Sequence, residues 1–498
     1  MREPNRFSGG IPGPGPCAPG PEAPGPAMPG PAALRVSDAR GRVVLLTTVL
    51  GSGVALLDST IVNVALPTVG RDLGADLAGV QWVISAYALT LAALILLGGS
   101  LGDRLGRRRV YIWGVAGFGV ASMLSAVSPN IATLVGARSL QGVAAALLTP
   151  GSLAILQSSF HPDDRMRAIG AWTGTLSIAA ASGPLIGGWL IAYSWRWVFW
   201  VNVPLCAAVI ALAARYVPES RNPEASRHTD VWGVMLCALG LAGMTYALTA
   251  WPSHGLGTLT VVTGTIGVLG LAAFILIERS SPHPMLPTVL FASRTFSVIN
   301  VATFAIYAAL SGTFLFLVLF LQVVSGWTAL QAGAAALPLS VIMLVLASRF
   351  GELATRIGAR PLMICGPLTA ATGLALLSLL PDNPSYLRHV LPGVVLLGLG
   401  LAMTVAPLTG TVLAAAPDVL AGTASGVNNA VARTAGLMAV AALPVMVGLS
   451  GSQYAEAASL APAYRTAMLI CAAIMAVGAA LTALGLPGTR ERPAVAAV

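Results

Sequence analysis

Charge is the first thing this sequence lacks. Only 9% of its 498 residues are Asp, Glu, Lys or Arg, and 56% are hydrophobic. Soluble domains carry roughly 25% charged residues, so a soluble globular protein is excluded and a bilayer protein indicated. Lysine is missing altogether: all 27 basic residues are Arg. With the heavy use of Ala and Gly, that bias suggests a GC-rich genome. Cysteine is scarce, and Cys17, Cys206, Cys237, Cys365 and Cys471 stand singly without metal-type spacing. Free thiols are expected, not a disulfide framework or a metal site. No phosphate-cradling loop, His/Cys/Glu cluster or nucleophile motif is present. Catalysis therefore has no candidate residue, and neither cofactor nor metal is expected. The Pro- and Gly-rich stretch 9–32 lacks the apolar core and cleavage site of a signal peptide, and reads as a disordered tail.

Long apolar runs are what the chain does have. About 20 residues span a hydrocarbon core of about 30 Å. Runs of that order lie at 43–66, 79–99, 110–128, 131–158, 168–192, 197–216, 231–251, 258–278, 297–323, 329–349, 361–380, 388–415, 422–449 and 464–486. They predict fourteen transmembrane helices, an even count that leaves both termini on one side. That side is the cytoplasmic face of the cell membrane, because Arg-rich short loops stay inside and only Arg71, Arg196, Arg388 and Arg465 fall on outer loops. The net charge of +9 thus reports topology and not a nucleic-acid surface.

The most distinctive stretch runs from Gly99 to Arg109, with Asp103 among Arg104, Arg107, Arg108 and Arg109 between two apolar runs. It predicts a short cytoplasmic loop in which Gly99, Gly102 and Gly106 permit a tight reversal and close helix approach. Asp103 is expected to hold two halves of the protein together, through nearby arginines or a helix N-terminus of the other half. Residues 351–360 echo this stretch, with Thr355 where Asp103 stands. The expected organisation is a tail at 1–41, a six-helix bundle at 42–217, a linker and two inserted helices at 218–296, a second six-helix bundle at 297–487 and a tail at 488–498.

Within the predicted spans, Asp58 is the one acid placed well inside the membrane. An ionisable group there is costly unless paired or hydrated, which marks a pathway or a proton site; a wetted helix end that only orients loops is the other reading. Asn63 is expected to pack between helices and Pro67 to end the span. Arg138 needs a partner, and Asp58 is the economical choice if their helices face one cavity; otherwise Arg138 snorkels to the outer interface. Asn63, Gln141 and Arg433 are candidate cavity residues, Arg433 being a second cation with no acid left in any span. Gly183, Pro184, Gly187 and Gly188 suit close packing and a kink. Trp195, Trp197 and Trp200 read as an interface belt, and Phe304, Tyr307, Phe314 and Phe316 as cavity or lipid contacts.

Together these segments resemble the fourteen-helix drug:proton antiporter group of the major facilitator superfamily. Residues 99–109 resemble the superfamily's signature between helices 2 and 3. The run from Leu57 to Pro67 is similar to the group's first-helix motif, and Arg138 to Ala146 to its Arg-x-x-Gln-Gly motif. Gly183 to Gly188 resembles the antiporter motif of helix 5, with Ala144 and Ala179 standing where glycines are often found. The resemblance implies an all-α integral membrane protein of two six-helix bundles plus two inserted helices around a central cavity. It implies export of hydrophobic, often cationic, drugs or antibiotics by proton antiport, with Asp58 and Arg138 coupling the proton. Gly99, Asp103, Arg104, Gly106, Arg107 and Arg108 would form the conformational switch loop. The implied partners are a small-molecule substrate, protons and lipid, with a monomer that needs no nucleotide and no nucleic acid. Export of a defined endogenous metabolite, lipid or siderophore fits the same residues.

Overall fold

Backbone N–H and C=O groups in hydrocarbon must be satisfied within their own segment, so apolar runs of this length can only be helices. A computed structural model describes residues 34–221, 230–281, 288–416 and 421–486. The tails expected at 9–32 and 488–498, Cys17 and the linker residues 222–229 lie outside the described residues. Among the described residues there is no strand beyond one bridge between Leu34 and Phe160.

The first group of helices is α1 (Ala39–Asp72), α2 (Leu77–Leu105), α3 (Arg107–Ala126), α4 (Ile131–Ser159), α5 (Pro162–Ile191), α6 (Trp197–Trp200) and α7 (Asn202–Tyr216). In it, α1 lies against α4, α5 and α7, and α4 against α2 and α3. Then α8 (Val231–His254) and α9 (Thr258–Ser280) pack on each other, and α8 also touches α2 and α15 (Ala421–Met446). The last group comprises α10 (Arg294–Leu319), α11 (Ala329–Ala335), α12 (Leu337–Ile357), α13 (Ala359–Ser378), α14 (Leu391–Ala414), α15 and α16 (Ala457–Gly485). Here α10 packs on α15 and α16, and α13 on α14 and α16.

Among the described residues, 12 helical segments are long and apolar enough to cross a membrane. α6 with α7 forms one of them and α11 with α12 another. π-helical turns at Phe320–Val324 and Tyr386–Val390 extend α10 and α14. The fourteen expected from the sequence also include 110–128 and 168–192, which form α3 and α5 but are not among the 12. α3 opens on charge, with Arg107, Arg108 and Arg109, and the apolar stretch of α5 counted among the described residues is the shorter Ser182–Ile191.

Two local expectations are corrected. Pro67 does not end the first span; it is buried inside α1, which continues to Asp72. Proline removes one backbone hydrogen bond there, and a helix enclosed by neighbours along most of its length tolerates that loss. Nor is 99–109 an open loop. Gly99 to Leu105 are the last turns of α2, Arg107 already begins α3, and Gly106 alone makes the corner with φ 115°. Gly358 turns α12 into α13 in the same way with φ 87°, so the echo between the two stretches is one of backbone geometry.

Four hydrogen bonds between described residues join the α1–α7 group to the α10–α16 group. The Leu77 N–H donates to the Gly451 carbonyl at 2.8 Å and the Tyr454 hydroxyl to the Ala75 carbonyl at 2.7 Å. Gln81 donates to the Val440 carbonyl at 2.6 Å and Gln322 to that of Val64 at 3.1 Å. All four lie at the end of the molecule away from Gly106, where the two groups are closed on each other.

Candidate functional site

Asp58 stands near the middle of α1, one of the most enclosed helices, and none of its surface is accessible. A carboxylate at that depth requires compensation; three side chains supply it and a fourth holds two of them. Arg138 of α4 donates from Nη1 to Asp58 Oδ2 at 2.5 Å. Gln141, one turn further along α4, donates from Nε2 to Asp58 Oδ1 at 2.9 Å while its own Oε1 accepts from Arg138 at 2.7 Å. Asn202 at the start of α7 donates to the same Oδ1 at 2.9 Å. Ser122 of α3 accepts from Gln141 at 2.9 Å and from Asn202 at 3.3 Å. The i, i+3 spacing of Arg138 and Gln141 puts both on one face of α4, which is what lets them act together.

Arg138 is equally enclosed, with 1% of its surface accessible. Its Nε donates to the Val83 carbonyl at 3.1 Å. The Tyr87 ring lies 4.4 Å from the guanidinium carbon and the Phe199 ring 5.9 Å, so the cation faces π-surfaces as well as its acid. This pairing is the one expected from the two charges, and the snorkelling alternative does not apply. A buried pair of this kind contributes little net stability, because desolvation offsets attraction, but removing one partner strands the other charge. The arrangement ties the carboxylate of α1 to α4 and α7 at once. Sequence reasoning missed Asn202 and Ser122. The signal for Asn202 was a polar amide within the run 197–216, but neutral polar residues are too common in such runs to single it out.

At the Gly106 corner, Asp103 pairs with Arg107 of the same stretch, Nη2 to Oδ1 at 2.7 Å and Nε to Oδ1 at 2.8 Å. Among the described residues it makes no bond to the other half. The arginines turn instead to Glu219, just after α7. Its Oε1 accepts from the Arg108 N–H at 3.1 Å, its Oε2 lies 3.7 Å and 3.8 Å from Nε of Arg108 and Arg109, and the Arg107 N–H donates to the Ser220 carbonyl at 2.9 Å. A Cβ on Gly106 would come within 2.7 Å of that carboxylate. Gly102 has nothing within 4 Å, and a Cβ on Gly99 would meet Pro150 at an ordinary 3.7 Å, so neither is demanded by packing. Arg104 is half-buried in the last turn of α2. Glu219 was passed over because it lies where the chain reads as linker.

The small residues of α5 divide between two neighbours. Gly183 packs on Thr60 and Gly187 on Ile61, both of α1, a Cβ on Gly187 falling 2.9 Å from the Ile61 side chain. Gly188 packs against Leu330, and the Pro184 carbonyl against Gly333, both of α11. Asn63 is half-buried and makes no hydrogen bond with a described residue. Arg433 is half-buried in α15 and forms no ion pair with a described residue. Trp195 departs from the expected belt: it is 1% accessible and packs edge-on to Phe199, whereas Trp197 and Trp200 are exposed. Phe316 is fully buried, Tyr307 and Phe314 are half-buried, and Phe304 is exposed. Cys206, Cys237, Cys365 and Cys471 are free thiols.

Residues 48–441 match the family described as Major Facilitator Superfamily. The chain is 38% identical over 426 residues to the puromycin resistance protein pur8 of Streptomyces alboniger, covering 84% of this chain and 83% of that protein. It is 36% identical over 389 residues to the multidrug resistance protein Stp of Mycobacterium tuberculosis, covering 78% and 72%. A crystal structure of a POT family transporter in complex with a thioalcohol-conjugated peptide superposes with a TM-score of 0.68 at 13% identity, covering 89% of this chain and 96% of that one. At that identity the likeness concerns fold alone. Sequence match and fold agree: the chain belongs to the Major Facilitator Superfamily.

Proposed function

We propose that this protein exports hydrophobic drugs or antibiotics across the cell membrane in exchange for protons, with Asp58 carrying the proton and Arg138 as its counter-charge. The observation that carries the reading is the fully enclosed Asp58–Arg138 pair at 2.5 Å. No packing requirement calls for two charges at that depth, whereas a proton carrier must be ionisable and shielded from bulk water. The puromycin and multidrug resistance proteins to which the chain is similar support an antibiotic or drug as cargo. In our reading the chain is a transporter and not an enzyme, works as a monomer, and has no nucleic-acid partner.

The cycle follows from what each state does to Asp58. With Arg138, Gln141 and Asn202 in place the charged carboxylate is satisfied. When the two groups of helices rock and α4 shifts against α1, a carboxylate losing its counter-charge in an apolar surrounding is favoured in its neutral form. Asp58 would thus take a proton in one conformation and give it up in the other. One proton moving down about 100 mV supplies roughly 2.3 kcal/mol, enough for a concentration ratio of about fifty. We take residues 42–217 and 297–487 as the two moving bundles, 218–296 as the linker and inserted helices, and α3 and α5 as spans that bring the total to fourteen. Both termini would then be cytoplasmic, with the Gly106 corner on that side.

Reconstituted vesicles test the reading. Wild-type protein should move puromycin uphill when a pH gradient is imposed and stop when a protonophore collapses it. Asp58→Asn should abolish uphill movement while leaving downhill counterflow. Proton movement in step with puromycin in Asp58→Asn vesicles would place the coupling group elsewhere.

A further inference from the structure

Arg138 has its acid; Arg433 has none among the described residues. Arg433 lies 12 residues from one end of α15 and 13 from the other, about 18 Å at 1.5 Å per residue, too deep for its side chain to reach either water layer. It is half-buried, on a helix that packs against α2 of the first group and α10 of the last as well as against α8. Asn429, four residues earlier on the same face of α15, is exposed. On α10, Ser311 packs beside Gly436, one turn beyond Arg433, and Tyr307 lies one turn back. Asn428, five residues before Arg433, donates to Asn300 and Thr303 of α10, so with the Gly436–Ser311 contact the two helices run side by side and set Tyr307 at the level of Arg433. A cation, an amide and a phenol therefore lie at one membrane depth on α15 and α10. No acidic residue among the described residues pairs with the cation.

An intramembrane guanidinium without an anion is costly, and here no described residue supplies one. Asp58 is unavailable, since its two oxygens are taken by Arg138, Gln141 and Asn202 and it has no accessible surface. By the same fact, a cationic substrate cannot reach Asp58 in this conformation. We propose that Arg433, with Asn429 and the hydroxyl of Tyr307, accepts the carboxylate or similar acidic group of a hydrophobic organic anion. This goes beyond the export reading, which holds for non-acidic cargo such as puromycin as well, and rests on it only for the direction of transport. The guanidinium supplies a planar pair of donors suited to a carboxylate. The phenol and the amide add neutral donors, and the apolar remainder of the ligand takes the apolar surface around them.

Binding without any gradient tests this separately from transport. Purified protein in lipid nanodiscs is titrated with 1-pyrenebutyrate and with 1-pyrenebutanol, reading energy transfer from tryptophan after subtraction of empty nanodiscs. Wild-type protein should bind the carboxylate about tenfold or more tightly than the alcohol, the range expected of a charged hydrogen-bonded pair. Arg433→Lys should keep most of that preference and Arg433→Gln should lose it. Asn429→Asp, which sets an internal acid one turn from Arg433, should also lose it while retaining the cation, and so covers a failure of Arg433→Gln to fold. No preference in the wild type, or a preference unchanged in Arg433→Gln or Asn429→Asp, would overturn the assignment. A protein that binds the anion but does not export would sink the transport reading and leave this one standing.

Discussion

Asn202 and Gln141 donate to the same oxygen of Asp58, each at 2.9 Å, although one sits on α7 and the other on α4. The carboxylate is thereby tied to helices from both ends of the first group. The Asn202 Oδ1 atom is buried without a hydrogen-bond partner. An amide that turned over would present that oxygen to the O–H of a protonated Asp58, so one side chain can serve both protonation states.

Replacing Asn202 with Leu should weaken this service without removing the carboxylate. Loss of one donor leaves the Asp58 carboxylate short of a hydrogen bond, so uphill transport driven by a pH gradient should slow, by about tenfold for a loss of about 1.4 kcal/mol. The apparent KM for substrate should stay near the wild-type value. Uphill transport at the wild-type rate per molecule, with a fall in protein yield alone, would reduce Asn202 to a packing residue.

The glycines of the α2–α3 corner should separate cleanly. Gly106→Ala forces an alanine to φ 115° and drives its Cβ toward Glu219. A cost of order 1–3 kcal/mol is expected from the backbone alone, seen as a lower unfolding temperature of the purified protein. Gly102→Ala, with nothing within 4 Å of its new methyl group, should leave that temperature unchanged or slightly raised. Equal effects of the two would contradict the geometry described for the corner.

These two sites also mark how far the sequence could be read. Asp58 and Arg138 were legible as a pair because charge in an apolar run is rare and each offered the other its only economical partner. Gly102 and Gly106 are indistinguishable on paper: one is a helical residue with open space beside it, the other the single corner of the chain. Pro67 looked like a helix end because local propensity disfavours proline in a helix, but tertiary burial of α1 overrode it. Trp195 looked like a belt residue until its burial against Phe199 was seen. Asn202, Ser122 and Glu219 meet their partners only through folding, and no local pattern announces such meetings.

The contact between Tyr454 and Ala75 is one of the few polar ties that close the end away from Gly106. Tyr454→Phe removes a hydrogen bond worth about 0.5–1.5 kcal/mol and little else. The population open at that end should rise roughly two- to tenfold, measured as spin-label distances between sites at Ala75 and Ser452. An unchanged distance distribution would mean that apolar packing alone holds that end shut.

The number of spans turns on α3 and α5, and one cysteine position decides it. α3 is 20 residues long, about 30 Å, which matches the hydrocarbon thickness although its first three residues are arginines. If α3 crosses, Arg109 at its start and Val127 just past its end lie on opposite sides of the membrane; if it does not, both lie on the same side. Both positions are exposed, with 59% of each side chain or residue accessible, so a thiol at either can be reached. In a background without the five native cysteines, Val127→Cys should react with an impermeant maleimide from outside intact cells. Arg109→Cys should react only after permeabilisation, because the arginines around it hold that corner in the cytoplasm. Adding or removing α3 and α5 together leaves every loop from α6 onward on the same side, so labelling at Asp382 cannot separate the two counts. Labelling of Val127→Cys and Arg109→Cys from one side would remove α3 from the membrane and with it the fourteen-span arrangement.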